Sequence, residues 1–301
     1  GFLTLAIAVT CIQLVMDRGE QQDWFQSGEI MLLTGLLVWA VYSFVVHTFT
    51  ASNPFIAPAL FLDRNFVVGL VLVFVYGMLN FTPIVLFPGL LQNLKGWPDS
   101  LIGEVLAARG IGMIVGFFIA GQMGRFDPRV GLTLGLLLIA YSGVEMVNFD
   151  LNVSGAAVNR AAIVQGIGCG VMWVPLSVIA FASLRSELLP QGSAIFHLLR
   201  NFGSSIFISI SVTMVVRTGI SNYARMTEFV SPFNEVLGFP QYLRFWDIET
   251  TTGLARIAVE VKQQADMIGF LNAFGLYTLA CVVVLPLVWM VRMPKRGAGD
   301  E

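Results

Sequence analysis

If the apolar stretch 193 to 216 is helical, His197, Arg200, Asn201, Ser204 and Ser211 fall within about 100° of arc, and most of the remaining surface is apolar. Such a set can hydrogen-bond a ligand, hold an anionic or π-rich group against a guanidinium, and exchange a proton near neutral pH through the imidazole. A charged stripe on a helix in lipid has to face a bundle interior or a water-filled cavity, because the acyl chains offer Arg200 no partner. The plainer alternative for His197 is a satisfied helix-packing residue.

Other polar side chains lie in long apolar runs. Arg109 falls roughly 12 Å inside its run, whereas Glu104 and Glu145 fall only about 5 to 6 Å from the ends of theirs and can reach the headgroups. We expect the runs holding Arg109 and Glu145 to be antiparallel neighbours, with the two residues forming an ion pair; substrate contact is the other role open to Arg109. Gln165 and Trp173 are eight residues apart, about 80° around a helix, so both could line one cavity, although an aromatic in such a run commonly just packs. His47 reads as interfacial. Cys11, Cys169 and Cys281 all sit in apolar runs as small hydrophobes, and no His, Cys or carboxylate spacing fits a metal, so neither a metal nor a cofactor is expected.

The elements that carry these residues follow from composition. Of 301 residues, 56% are hydrophobic and 12% charged, with mean hydropathy +0.78. A soluble domain carries roughly 25% charge. A soluble globular domain, a disordered chain and a nucleic-acid binder are thereby excluded. A bilayer core of about 30 Å needs roughly 20 apolar residues per helix. Eight stretches approach this: 1–16, 30–49, 66–91, 101–122, 130–149, 161–182, 193–216 and 267–291. They are too long and continuous for barrel strands, so the expectation is an all-α membrane protein with eight transmembrane helices. The first stretch is short and starts without a flanking charge, and the chain reads as part of a longer protein.

Placing the tail 292–301 in the cytoplasm puts Arg64, Arg125, Arg129, Arg185, Arg292, Lys295 and Arg296 inside and leaves Arg18, Lys95 and Arg160 in short outer loops. That agrees with the positive-inside rule. The long connection 217–266 is then external; it carries six acidic and five basic residues and is interrupted by Pro232 and Pro240. Within it, Leu254, Ile257, Ala258 and Val261 recur at helical spacing, which predicts a short surface helix leading into the last span, either simply solvated or a docking surface for a periplasmic partner.

Ala108, Gly112, Gly116, Ala120 and Gly124 place a small residue at every fourth position, a stripe that lets two helices approach closely in lipid. Gly166, Gly168 and Gly170 repeat the device ahead of Pro175, and Pro83 and Pro88 fall late in the third span, where kinks are expected.

Several segments resemble one family when taken in order. LVMDRGEQQDWFQSGEI from Leu14 to Ile30 is similar to the hairpin between the seventh and eighth helices of the EmrB/QacA-type drug:proton antiporters, the fourteen-helix branch of the major facilitator superfamily. LAARGIGMIVGFFIAGQMGRFDPR from Leu106, QGIGCGVMWVPL from Gln165, HLLRNFGSSI from His197, SPFN from Ser231 and QQADMIGFLNAF from Gln263 follow in the family's order. Ala108, His197 and Phe207 depart from its usual Pro, Asn and Gly, and the loop Gly124 to Arg129 is a shortened form of the superfamily's gating loop.

The resemblance implies a linker helix pair at 1–65 and the carboxy-terminal six-helix bundle at 66–301, with the amino-terminal bundle missing. It further implies a fragment of a proton-coupled multidrug efflux antiporter of a bacterial inner membrane, exporting amphipathic hydrophobic compounds in exchange for protons by alternating access. A periplasmic adaptor and an outer-membrane channel are the implied partners. His197, Arg200, Asn201, Ser204, Arg109, Gln165 and Trp173 are the expected substrate or ion pathway. The main proton-carrying carboxylate of the family usually lies in the amino-terminal half, so this chain by itself is not expected to transport. The alternatives are a non-transporting scaffold or receptor half and a membrane-embedded enzyme; the latter would need a nucleophile, metal cluster or carboxylate pair converging at one depth, and the residues show none.

Overall fold

The computed structural model describes residues 1–51, 56–125, 127–231, 233–239 and 246–290. The tail 292–301, Phe126 of the gating-type loop, and Pro232 and Pro240 lie outside them.

Eight α-helices account for most of the described residues, and no strand occurs among these: α1 (Phe2–Arg18), α2 (Gly28–Thr50), α3 (Arg64–Lys95), α4 (Asp99–Gln122), α5 (Pro128–Val147), α6 (Gly155–Phe181), α7 (Leu189–Thr227) and α8 (Thr251–Trp289). The helices α2 to α8 are each long and apolar enough to cross a bilayer. α1, with 17 residues, reaches only about 26 Å. The protein is an all-α membrane protein.

Helix starts follow local chemistry. Asp63 accepts a hydrogen bond from the Phe66 backbone N–H (2.9 Å) at the head of α3, and Ser154 and Thr250 cap α6 and α8 in the same way. α3 ends at Gly96, whose φ of +62° is the left-handed conformation a glycine adopts without penalty.

The ends of the last two helices differ from the sequence expectation. α7 runs to Thr227 rather than stopping near 216, and the surface helix expected around 252 to 267 is the first part of a continuous α8. No proline or left-handed residue falls between that segment and the span. Across the junction Lys262 pairs with Asp266 at 3.1 Å, which lets a charged helix continue into an apolar one. The helices also continue through Pro83, Pro88, Pro175 and Pro286.

Packing is ordered by small residues. α6 lies between α4 and α5, α3 packs against α6, α7 and α8, and α5 and α7 each pack against α8. A Cβ added at Gly112 or Gly116 would enter the α6 backbone at Ile163 or Ile167, and one at Gly166 or Gly170 would enter the α4 backbone at Arg109 or Met113. These two helices interlock backbone to backbone, as the small-residue stripe predicts. Gly77 of α3 and Gly203 of α7 form a second such crossing, each facing the other helix's backbone at Arg200 and Phe74. α1 and α2 form an antiparallel pair, and α1 also touches α7. Only Ile30 and Ala40 of α2 are buried.

Candidate functional site

The polar residues separate into two groups, one sealed between helices and one open at the side of the bundle. The sealed group begins with a backbone vacancy. Pro83 has no N–H, so the carbonyl of Leu79, four residues earlier in α3, lacks its helical donor. In lipid such a carbonyl has to be satisfied by protein. Gln165 Nε2 on α6 donates to it at 2.9 Å, and the Tyr277 hydroxyl on α8 donates to it at 3.1 Å. The same amide also lies 3.2 Å from the Tyr277 oxygen and 3.2 Å from Cys169 Sγ.

Gln165 thereby has its carbonyl oxygen free to accept from Arg109 Nε, at 2.6 Å. Arg109 Nη2 donates to the Asn80 backbone oxygen at 2.7 Å and to Asn80 Oδ1 at 2.6 Å. Arg109 is 6% exposed and Gln165 0%. No acid lies within ion-pair distance of this guanidinium among the described residues; neutral oxygens on two helices carry its charge.

The expected pair of Arg109 with Glu145 does not form. Glu145 accepts from Arg160 Nε at 2.9 Å and from the Tyr141 hydroxyl at 3.1 Å, near the end of α5. The cause is the order of the helices: the small residues of α4 draw in α6, which places α6 between Arg109 and α5. Asn80 and Tyr277 were not among the expected site residues. The signal for Tyr277 was Pro83, which announces a free carbonyl four residues earlier; nothing in the sequence singled out Asn80.

The open group lies on α7. His197 and Asn201 are exposed, and Arg200 and Ser204 are half-buried. The Arg200 guanidinium sits 5.6 Å from the Trp173 ring centroid and 5.8 Å from that of Phe81, within range of cation–π attraction to both. Its Nη2 donates to Asn201 Oδ1 at 3.3 Å, while Nε is buried with no hydrogen-bond partner among the described residues. Ser204 Oγ donates to the Asn201 backbone oxygen at 2.7 Å. Trp173 is the hub of an aromatic cluster: its ring centroid is 4.9 Å from Tyr76, 5.9 Å from Phe196 and 6.3 Å from His197.

Two further expectations change. Ser211 is fully buried, two turns beyond Ser204 and covered by neighbouring helices, so the stripe is open only over its first half. Gln165 and Trp173 do not share a cavity: Gln165 is closed within the arginine network, while Trp173 stands against Arg200. The open arrangement presents a half-buried cation, a neutral amide, an imidazole and aromatic faces side by side. It can hold a flat apolar body on the rings and a polar group on the guanidinium. Among the described residues no three His, Cys, Asp or Glu side chains gather as a metal site.

No protein-family model matches the chain. It is similar to curated proteins over nearly its whole length. With the Multidrug export protein EmrB of Escherichia coli (strain K12) it shares 30% identity over 302 residues, which are 99% of this chain and 59% of that protein. With the protein of the same name from Haemophilus influenzae the identity is 26%, over 98% of this chain and 58% of the relative. With the Fatty acid resistance protein FarB of Neisseria gonorrhoeae it is 25%, over 99% and 59%. The chain thus spans less than two thirds of the length of these relatives, all of them named for export or resistance rather than for an enzymatic reaction. The chain is thus an all-α membrane bundle similar over nearly its whole length to EmrB multidrug export proteins, and it aligns to rather more than half of theirs.

Proposed function

We propose that the chain is the carboxy-terminal part of a proton-coupled multidrug antiporter, with α1 and α2 as the linker pair and α3 to α8 as the carboxy-terminal six-helix bundle. The open face of α7 would border a passage shared with an amino-terminal bundle, and amphipathic hydrophobic compounds would cross by alternating access. In this reading His197, Arg200, Asn201, Ser204 and Trp173 line the path, whereas Arg109 and Gln165 lock the helices that frame it. The orientation is carboxy terminus inside, in a bacterial inner membrane. The parts of α7 and α8 that extend past the bilayer supply the surface for a periplasmic adaptor, itself joined to an outer-membrane channel.

The observation that carries this reading is Arg200, a cation inside a membrane span that lies against two aromatic rings and has no acid within ion-pair distance among the described residues. Desolvating such a charge is costly, so a face that keeps it is built to meet something polar. The test is efflux from cells carrying the complete gene product. Arg200→Ala is expected to lower efflux at least about tenfold with expression unchanged, a loss of about 1.4 kcal/mol or more in transition-state stabilisation. Wild-type protein that binds ligands but moves none would favour the scaffold reading.

A further inference from the structure

The hairpin between α1 and α2 forms a clasp whose acceptor reaches another helix. Glu20 Oε2 accepts from the Trp24 indole N–H at 2.8 Å and from the Thr213 hydroxyl of α7 at 2.9 Å. Its Oε1 lies 3.5 Å from Arg217 Nε, one turn farther along α7. The hairpin is shaped to present this carboxylate. Asp23 (φ +50°) and Trp24 (φ +53°) occupy the left-handed region, which residues with a Cβ disfavour and keep only where their surroundings hold them. The Trp24 ring lies against Gly19: a Cβ there would come within 2.8 Å of the ring and 2.6 Å of the Val15 carbonyl. The rest of the hairpin is tied to itself. Arg18 pairs with Glu29, Gln22 donates to Glu29 at 2.8 Å, and Ser27 donates to Gln22 at 2.7 Å.

The seam between α1 and α7 is loose elsewhere. Toward the start of both helices an apolar gap of about 350 Å³ separates Phe2, Leu5 and Val9 from Ile195 and Leu198. Two lipid-facing helices gain little from apolar contact, since acyl chains satisfy those surfaces equally well. A polar fastening is therefore what distinguishes the docked pair from a free one.

We infer that Glu20 is the fastening point of the α1–α2 pair on the bundle, a latch closed on Thr213 and Arg217 that fixes the pair to α7, the helix bearing the open polar face. The latch is a standing joint and not a proton switch. Burial works to raise the Glu20 carboxyl, but hydrogen bonds from Trp24 and Thr213 and the charge of Arg217 outweigh it and hold the pKa below its ordinary value. A depressed carboxyl contributes stability above its unfolded pKa and loses it only as pH falls through the folded one. The joint therefore stays closed near neutral pH. The charged groups around it are Arg217 on α7 and Asp17, Arg18, Asp23 and Glu29 of the hairpin.

The joint itself is independent of the transport reading; its effect on transport rests on that reading. Spin labels at Gln26 and Ser221, both exposed, report the hairpin-to-α7 distance in the complete gene product in lipid nanodiscs. The expected result is a narrow distribution, unchanged between about pH 6 and 8, that broadens at least about twofold in Glu20→Ala and by less in Thr213→Val, which leaves Arg217 on the carboxylate. Combining the two changes should broaden it no further than Glu20→Ala alone, because that variant already removes the acceptor Thr213 donates to. Unchanged widths in both single variants, or a distribution that widens over that pH range in the wild type, overturns the latch. Thr213→Val keeps the test open if Glu20→Ala misfolds. Efflux separates the two claims. A severalfold loss in both latch variants supports coupling of the pair to α7, and full efflux with a broadened distance overturns that coupling. Wild-type protein with no efflux but a narrow distance counts against the transport reading and leaves the joint standing.

Discussion

A single missing hydrogen organises the sealed polar network. Pro83 releases the Leu79 carbonyl, Gln165 and Tyr277 close on it, and Gln165 turns its other end to Arg109. This gives a prediction about which residue depends on which. Gln165→Ala removes the acceptor of Arg109 Nε and one of the two donors on the Leu79 carbonyl, and should destabilise the folded protein by about 3 kcal/mol, the range for stranding a buried charge or its partner. Pro83→Ala restores the backbone N–H and lets the helix satisfy Leu79 itself. In that background Tyr277→Phe should cost less than in the wild type, by about 1 kcal/mol, while Gln165→Ala should remain costly through Arg109. Thermal unfolding of the detergent-purified variants reads both differences. Equal costs of Tyr277→Phe in the two backgrounds would show that the carbonyl is not the link.

At the scale of elements, the span positions were legible because a long apolar run leaves lipid as the place to put it. Helix ends and neighbours were not. α7 and α8 overrun their apolar stretches because nothing in the flanking polar sequence breaks a helix. The neighbour of α4 is α6 rather than α5 because backbone approach at Gly112, Gly116, Gly166 and Gly170 outweighs adjacency in the chain. The small-residue stripe was visible in sequence, but its partner was not, since stripes on several helices compete. The contact is specific enough to test with paired substitutions. Gly166→Leu pushes a side chain into the α4 backbone at Arg109 and should abolish a monodisperse product or cost more than about 3 kcal/mol. Gly110→Ala, where an added Cβ meets nothing within 4 Å, should be neutral or slightly stabilising through helix propensity. Size-exclusion profiles and unfolding midpoints of the two proteins would distinguish a packing glycine from a tolerated one.

For the whole molecule, the open face of α7 was legible as a polar stripe, but its extent was not: periodicity grouped Ser211 with His197 and Arg200, and only packing shows that the second half is covered. The distribution of acids bears on what the chain can do by itself. Glu104 is exposed in the second turn of α4, Glu145 is engaged by Arg160 near the end of α5, and Glu20 is held by the hairpin latch. Asp266 sits where α8 enters its apolar stretch and pairs with Lys262, so no described acid lies midway along an apolar stretch, where alternating access needs a carboxylate that can be reached in turn from either side of the bilayer. In the proposed antiporter the proton site therefore belongs to the amino-terminal bundle, and residues 1 to 301 alone should bind an amphipathic dye without moving it. Vesicles reconstituted with this chain and energised by an inward proton gradient should show dye transport at the empty-vesicle rate, while the complete gene product should exceed that rate at least about tenfold. Gradient-driven transport by the shorter chain would move the relay into this bundle. Glu145 would then be the first residue to substitute, since its Oε2 is buried without a hydrogen-bond partner among the described residues.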